Sequence, residues 1–320
     1  MRVGIPRETG DGEGRVAASP SAVRTLCAAG HELWLEQGAG TPSGFSDDEY
    51  IRAGASIAPT AEEVFDRAQW VWKVGAPSPH EDTLLKSGTI VMALQHATPA
   101  GRWRWLPLER ARAADGSLPV LAAMSEIAGR LAVDAATVAL ASGGRGILLG
   151  GVPGVEASRV VVIGAGVAGA NAARVACAVG ADVEVLDTDV SRLRALRLPG
   201  VRTLLATAHQ VERALVHADV VIVAVRDAEG GCPRVATRSH LALMQPGAVV
   251  VDLSIVDGGA FESTPVTTLE APAALVDGIV HIGVPNFAGG VPRTASLALS
   301  QAALPFVLAA LTGEGLVSRG

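Results

Sequence analysis

Residues 159–187 read RVVVIGAGVAGANAARVACAVGADVEVLD, and their order decides the fold of the second half of the chain. The apolar run before Gly164 predicts a strand buried on both faces, residues 167–179 predict an Ala-rich helix, and DVEVLD predicts the next strand. Gly164, Gly166 and Gly169 fall between the first strand and the helix. The first permits a tight turn and the second lets the backbone approach a pyrophosphate. The third lets the helix pack on the strand with its positive amino end facing the phosphates. Ala168 lies in the same turn. Asp187 ends the second strand, roughly 20 residues downstream, where a carboxylate accepts ribose hydroxyls. A lone GxGxxG would indicate little more than a turn, but strand, turn, helix, strand and terminal acid together form a dinucleotide-binding fingerprint. A carboxylate at Asp187 repels the extra phosphate of NADP, so the expected cofactor is NAD. Arg192, one turn into the following helix, reads equally as an adenosine contact and as a solvated helix residue.

Outward from this segment, strands and helices continue to alternate. On the carboxyl side come a helix from Val190, the strand TLLA, a helix over 209–217 and the strand VVIVAV. On the amino side RVGI, a helix opening at Ser19-Pro20, ELWLEQ, WVWKV and GTIVMAL give a second alternating set, which predicts a mostly parallel sheet. Thr60 followed by Glu63 reads as a capping box for the helix through Arg67. SEIAGRLAVDAATVALA predicts one long helix between the halves. A final helix from Thr294 to about Leu311 is too apolar to stand alone and is expected to return to the first half. The predicted fold is therefore α/β, with two Rossmann-like doubly wound domains and a cleft between them. The expected boundaries are 1–124 plus 294–320 for a discontinuous substrate domain and 125–293 for the NAD-binding domain.

The bulk numbers agree. The 320 residues are 49% hydrophobic but only 3% aromatic, so the core is built from small aliphatic side chains. No stretch approaches ~18 uninterrupted apolar residues, so no membrane span is expected. The net charge of −6 comes from dispersed residues without a long basic run, which disfavours nucleic acid. Cys27, Cys177 and Cys232 stand apart without CxxC spacing, which disfavours metal and disulfides alike. The amino terminus enters a strand without a charged and then apolar leader, and a cytoplasmic setting is expected.

Several segments together resemble the alanine dehydrogenase family, which is related to the NAD-binding part of proton-translocating transhydrogenases. They are MRVGIPRE with GRVAASP, SLPVLAAMSEIAGRLAV, GGRGILLGGVPGV before the glycine turn, and VPNFAGGVPRTASLALSQAALPFV. The resemblance covers nearly the whole chain. It implies an NAD-dependent oxidoreductase of amino acid metabolism that acts on a small carboxylate substrate as a homo-oligomer. It also implies that Arg15 binds the substrate carboxylate, for which a planar guanidinium offers a bidentate fork. His96 would be the proton-transferring histidine. Without the resemblance, each would read as an ordinary solvated or core residue. The further cofactor contacts implied are Ser125 at the pyrophosphate and, near the nicotinamide, Leu253, Ile255, Val256, Val284, Asn286 and Phe287. Asn286 also reads as a turn residue before Gly289-Gly290.

Two positions depart from the family pattern. Gly75 stands where the family has a substrate lysine; Lys73, two residues earlier, shares the strand face but lies roughly 6 to 7 Å further back. Val256 stands where the family has an aspartate beside the nicotinamide, with Asp257 following. These departures point to an amino acid, 2-oxo acid or imine substrate other than alanine and pyruvate. Two other readings stay open: an NAD-dependent lyase, cyclase or isomerase that regenerates its cofactor internally, and an inactive NAD-binding homologue.

Overall fold

The computed structural model describes residues 1–94, 102–227 and 231–313 and divides into two compact units. One comprises Met1–Met124 with the chain from Ala288 onward, and the other Ser125–Phe287.

The first unit contains β1 (Arg2–Ile5), α1 (Pro20–Ala28), β2 (Glu32–Glu36), α2 (Asp47–Ala53), β3 (Ser56–Ala58), α3 (Ala61–Arg67), β4 (Trp70–Trp72), α4 (Pro79–Leu84), β5 (Ile90–Ala93) and β6 (Arg104–Pro107). The sheet order is β3-β2-β1-β4-β5-β6, with every pairing parallel. The chain runs outward in one direction from β1 through β2 and in the other from β4 through β5, so the strand order reverses between β1 and β4. Ligands of open α/β sheets gather at the carboxyl ends of strands at such a reversal. Helix starts are set locally. Ser19 accepts the Ala22 N–H with Pro20 in the first turn, and Ser46 with Glu49 and Ser78 with Glu81 form full capping boxes. Thr60 makes only half of the expected box. It accepts the Glu63 N–H, but the Glu63 carboxylate goes to Arg67 at 2.9 Å.

α5 (Pro119–Val138) begins six residues before the expected start and contains the boundary between the units. It ends in a π-helical turn, Ala139–Gly143. The second unit continues with β7 (Arg159–Ile163), α6 (Val167–Ala178), β8 (Asp182–Asp187), α7 (Val190–Ala195), β9 (Arg202–Leu205), α8 (Ala208–His217), β10 (Val220–Val223), α9 (Arg238–Leu241), β11 (Val249–Asp252), β12 (Ala273–Val276) and β13 (Ile279–Ile282). Its sheet order is β12-β13-β11-β10-β7-β8-β9, parallel except for the antiparallel pair β12 and β13. Alternate residues of β7 face opposite layers. Val160 and Val162 pack with Ala132, Ala136, Ala172 and Ala176, while Val161 and Ile163 pack with Val211 and Leu215. The small alanines let α5 and α6 lie close to the sheet.

α10 (Pro292–Thr312) belongs to the first unit and starts two residues before the expected Thr294. Its docking is polar as well as apolar. The Ser296 and Ser300 hydroxyls accept the backbone N–H groups of Val16 and Ser19 at 2.9 and 3.0 Å, and Ser296 also bonds the Ser43 hydroxyl at 2.8 Å. By length and composition this helix could cross a membrane. However, Ala295, Leu299, Ala303, Val307 and Leu311 are buried on the first unit, and the helix carries Arg293 and Gln301.

Candidate functional site

In the second unit the strand order reverses between β7 and β10, and the glycine turn sits at that point. Gly164 has φ +101°, and a Cβ there would lie 2.2 Å from the Ala224 carbonyl oxygen, just after β10. A Cβ on Gly169 would lie 1.8 Å from the Gly164 oxygen. Gly166 precedes α6, and no atom lies within 4 Å of where its Cβ would be. Two glycines therefore allow close packing, and the third leaves open space in front of the first N–H groups of α6. A phosphate needs that approach.

Asp187 is 5% exposed at the carboxyl end of β8. It accepts the backbone N–H groups of Ala165 at 2.6 Å and Asp189 at 2.7 Å, so the acid is fixed beside the glycine turn. Arg192 is largely exposed and reaches Asp187 at 3.9 Å and Asp189 at 3.6 Å. Its guanidinium thus stands beside the acid that ends β8.

Ser125 lies half-buried on α5, one turn before Gly129. A Cβ on Gly129 would lie 2.1 Å from the Ala168 carbonyl oxygen, so this face of α5 packs directly on the glycine turn. Gly129 escaped the sequence reading, although a glycine inside an otherwise strong helix is a sign of close backbone approach. After β11, Leu253 is half-buried, Ile255 buried and Val256 66% exposed. Leu253, Val284 and Phe287 join one apolar cluster, with Asn286 half-buried in the turn between the last two. Asp257 pairs with Arg226 at 3.3 Å.

In the first unit, Arg15 and Lys73 lie in the segments that follow β1 and β4, the strands where the order reverses. Arg15 is 4% exposed, and its guanidinium grips the Glu13 carboxylate through Nε at 2.7 Å and through Nη2, while Nη1 reaches Met124 Sδ at 3.4 Å. Lys73 is 1% exposed and lies between two carboxylates, Glu81 at 2.6 Å and Glu8 at 3.4 Å. Glu8 also accepts the N–H groups of Val74 at 2.6 Å and Gly75 at 3.3 Å. Burial pushes the Glu8 carboxyl above its usual range, outweighing the opposite pull of Lys73 and the Val74 N–H. Lys73 thus ties the loop after β1 to the segment after β4. His96 lies outside the described residues.

A separate cavity of about 220 Å³ lies at the amino ends of β7, β8 and β9, opposite the glycine turn, and is lined by Arg159, Asp182, Glu184, Arg202, Arg213 and His217. Arg202 bonds Asp182 and Glu184 there, so its floor is an ion-pair network remote from the fingerprint.

Models of the alanine dehydrogenase/PNT amino-terminal and carboxyl-terminal domains match residues 4–128 and 131–318. The chain belongs to the alanine dehydrogenase/PNT family. An alanine dehydrogenase of Halomonas elongata is 41% identical over 97% of this chain and 87% of its own length. A solved L-alanine dehydrogenase superposes with a TM-score of 0.92 at 38% identity, covering 99% of this chain and 91% of that one. A transhydrogenase from Sinorhizobium meliloti gives 0.86 at 28% identity, covering 97% and 94%. Family membership favours dehydrogenase chemistry over lyase, cyclase or isomerase chemistry and over loss of activity.

Proposed function

We propose that this protein is an NAD-dependent dehydrogenase that interconverts an amino acid with the corresponding imine or 2-oxo acid, the pair being other than alanine and pyruvate. The observation that carries the reading is Asp187, bonded to the Ala165 N–H inside a glycine turn that stands at a strand-order reversal. Gly164, Gly166, Ala168, Gly169 and Ser125 would hold the pyrophosphate, Asp187 and Arg192 the adenosine ribose, and Leu253, Ile255, Val256, Val284, Asn286 and Phe287 the nicotinamide end. NAD, when bound, supplies the hydride acceptor. Arg15 would take the substrate carboxylate with Glu13 holding its guanidinium in place, and His96 would exchange the substrate proton. Lys73 would act on the substrate side by keeping Glu8 against the backbone of Val74 and Gly75.

Two features support a substrate other than alanine. Gly75 and Val256 stand where the resembled family has a lysine and an aspartate, and the neighbouring charges are already engaged, Lys73 by Glu8 and Glu81 and Asp257 by Arg226. We also propose a cytoplasmic setting, supported by the isolated thiols, and a homo-oligomeric state, supported by the family resemblance. The test is a screen of 2-oxo acids with ammonium and NADH, run beside pyruvate. Turnover of another 2-oxo acid with little or none of pyruvate is expected. Pyruvate turnover in the ordinary enzyme range of ~1 to 10³ per second would overturn the substrate assignment.

A further inference from the structure

The segment after β11 needs something to hold it, and the holding group is the last residue of that strand. Asp252 is fully buried. Its Oδ1 accepts the Ser254 N–H at 3.0 Å, and its Oδ2 accepts the N–H groups of Ala260 at 2.7 Å and Phe261 at 2.9 Å. The chain therefore leaves β11, turns through 254–259 and comes back to the same carboxylate. Gly258 and Gly259, at φ +105° and +76°, permit the return. A second tie runs sideways. The Ser254 hydroxyl donates to the Val225 carbonyl at 2.7 Å and accepts the Val225 N–H at 3.1 Å, joining this loop to the chain just after β10. The loop is thus closed by a charge-assisted clamp and fixed to the strand beside the glycine turn, whose Gly164 already abuts Ala224.

We propose that Asp252 is a positioning residue for the nicotinamide half of the cofactor, acting through the backbone of 253–256 without touching the cofactor itself. The proposal rests on the NAD reading above. An isosteric Asp252→Asn change keeps the shape but leaves one oxygen. However the amide turns, an NH2 group then faces at least one backbone N–H, so the clamp opens on one side. A merely structural role would weaken binding of the whole dinucleotide, whereas a positioning role weakens only its nicotinamide half.

The comparison is between NADH and ADP-ribose, which lacks the nicotinamide ring, with both titrated against the full chain. For Asp252→Asn, the NADH Kd is expected to rise about tenfold, the scale of one charge-assisted hydrogen bond, while that of ADP-ribose stays within about twofold. The nicotinamide fluorescence of the bound NADH should also move toward that of free NADH. Unchanged binding of both ligands, or equal losses of both, overturns the positioning role. A parent protein that binds neither overturns the NAD reading and this proposal with it. If Asp252→Asn does not fold, Ser254→Ala, which removes both bonds to Val225, is expected to give the same selective loss, and a parental ratio of the two affinities overturns the proposal.

Discussion

The Lys73 ammonium lies 2.6 Å from one carboxylate oxygen of Glu81, and the other oxygen of that carboxylate accepts the Ser78 backbone N–H at 2.7 Å. One acid thus caps α4 and neutralises a buried cation, while Glu8 meets the same cation from the loop after β1. Lys73→Met would leave two buried carboxylates facing each other without their counter-charge. The expected cost at neutral pH is about 3 to 5 kcal/mol, the usual range for breaking a buried pair from one side. With the lysine gone, the Glu8 carboxyl rises further, and a carboxyl raised in the fold contributes stability below its unfolded value. The deficit should therefore shrink as pH falls toward the usual carboxylate range, with NADH affinity unchanged. Urea unfolding at neutral and acid pH checks this, and a neutral-pH deficit below about 1 kcal/mol would contradict the buried triad.

Asp187→Ala should narrow the preference for NADH over NADPH. The side chain offers ribose hydrogen bonds and repels a 2′-phosphate, and its fixed position against the Ala165 N–H leaves little freedom to swing away. Arg192, 3.9 Å from Asp187, would then be released toward the added phosphate. Fluorescence titration of both nucleotides decides the matter: equal affinities in the parent protein would remove Asp187 from the ribose site.

A buried histidine gives the second unit an acid-sensitive point. His281 is fully buried on β13, with Nδ1 bonded to Thr264 Oγ1 at 2.9 Å and Phe261 packed edge-on against its ring. Burial lowers its pKa to about 4, against a weaker upward pull from Asp277. The folded protein therefore favours neutral His281, and the stability this gives is present above about 6.5 and is lost as pH falls from there toward about 4. Full loss amounts to about 3 kcal/mol. Asp252 and Glu8, whose carboxyls are raised by burial, act in the opposite sense at the acid end of that window. The informative quantity is therefore the difference between the parent and His281→Asn. The variant should be less acid-labile between pH 6.5 and 4, and parallel stability curves would contradict the assignment.

The glycine turn with its flanking elements, the mostly parallel character of both sheets and the return of the last helix were legible from apolar strands, glycines at fixed offsets and helical periodicity. What escaped depends on partners distant in sequence. Glu8, Glu13 and Glu81 look like surface acids until Arg15 and Lys73 are seen buried beside them. Gly129 acquires its meaning only from Ala168, and Asp252 only from Ser254, Ala260 and Phe261. The antiparallel hairpin of β12 and β13 did carry a local signal, Asp277-Gly278 with both residues at positive φ, between two apolar runs.

The last prediction concerns the substrate side. Arg15 and Glu13 form a two-point pair whose guanidinium is almost wholly removed from water, an arrangement that holds one orientation of the fork. If the other edge of the guanidinium, Nη1 with Nη2, receives the substrate carboxylate, Arg15→Ala should mainly weaken substrate binding, with some loss of rate where the carboxylate also sets hydride geometry. It should also leave Glu13 buried without its cation, so stability must be measured beside activity. Arg15→Lys is the cleaner variant, because it keeps a charge for Glu13 but cannot offer the planar fork. His96→Ala should lower the chemical rate by about 10² to 10⁴, the usual range for a general acid or base. NADH affinity should change little in all three variants, since the fingerprint lies in the other unit. Steady-state kinetics with the substrate found in the screen, run beside NADH titration, separates the outcomes. Normal turnover in His96→Ala, or loss of NADH binding in step with activity in a folded variant, would place the chemistry elsewhere.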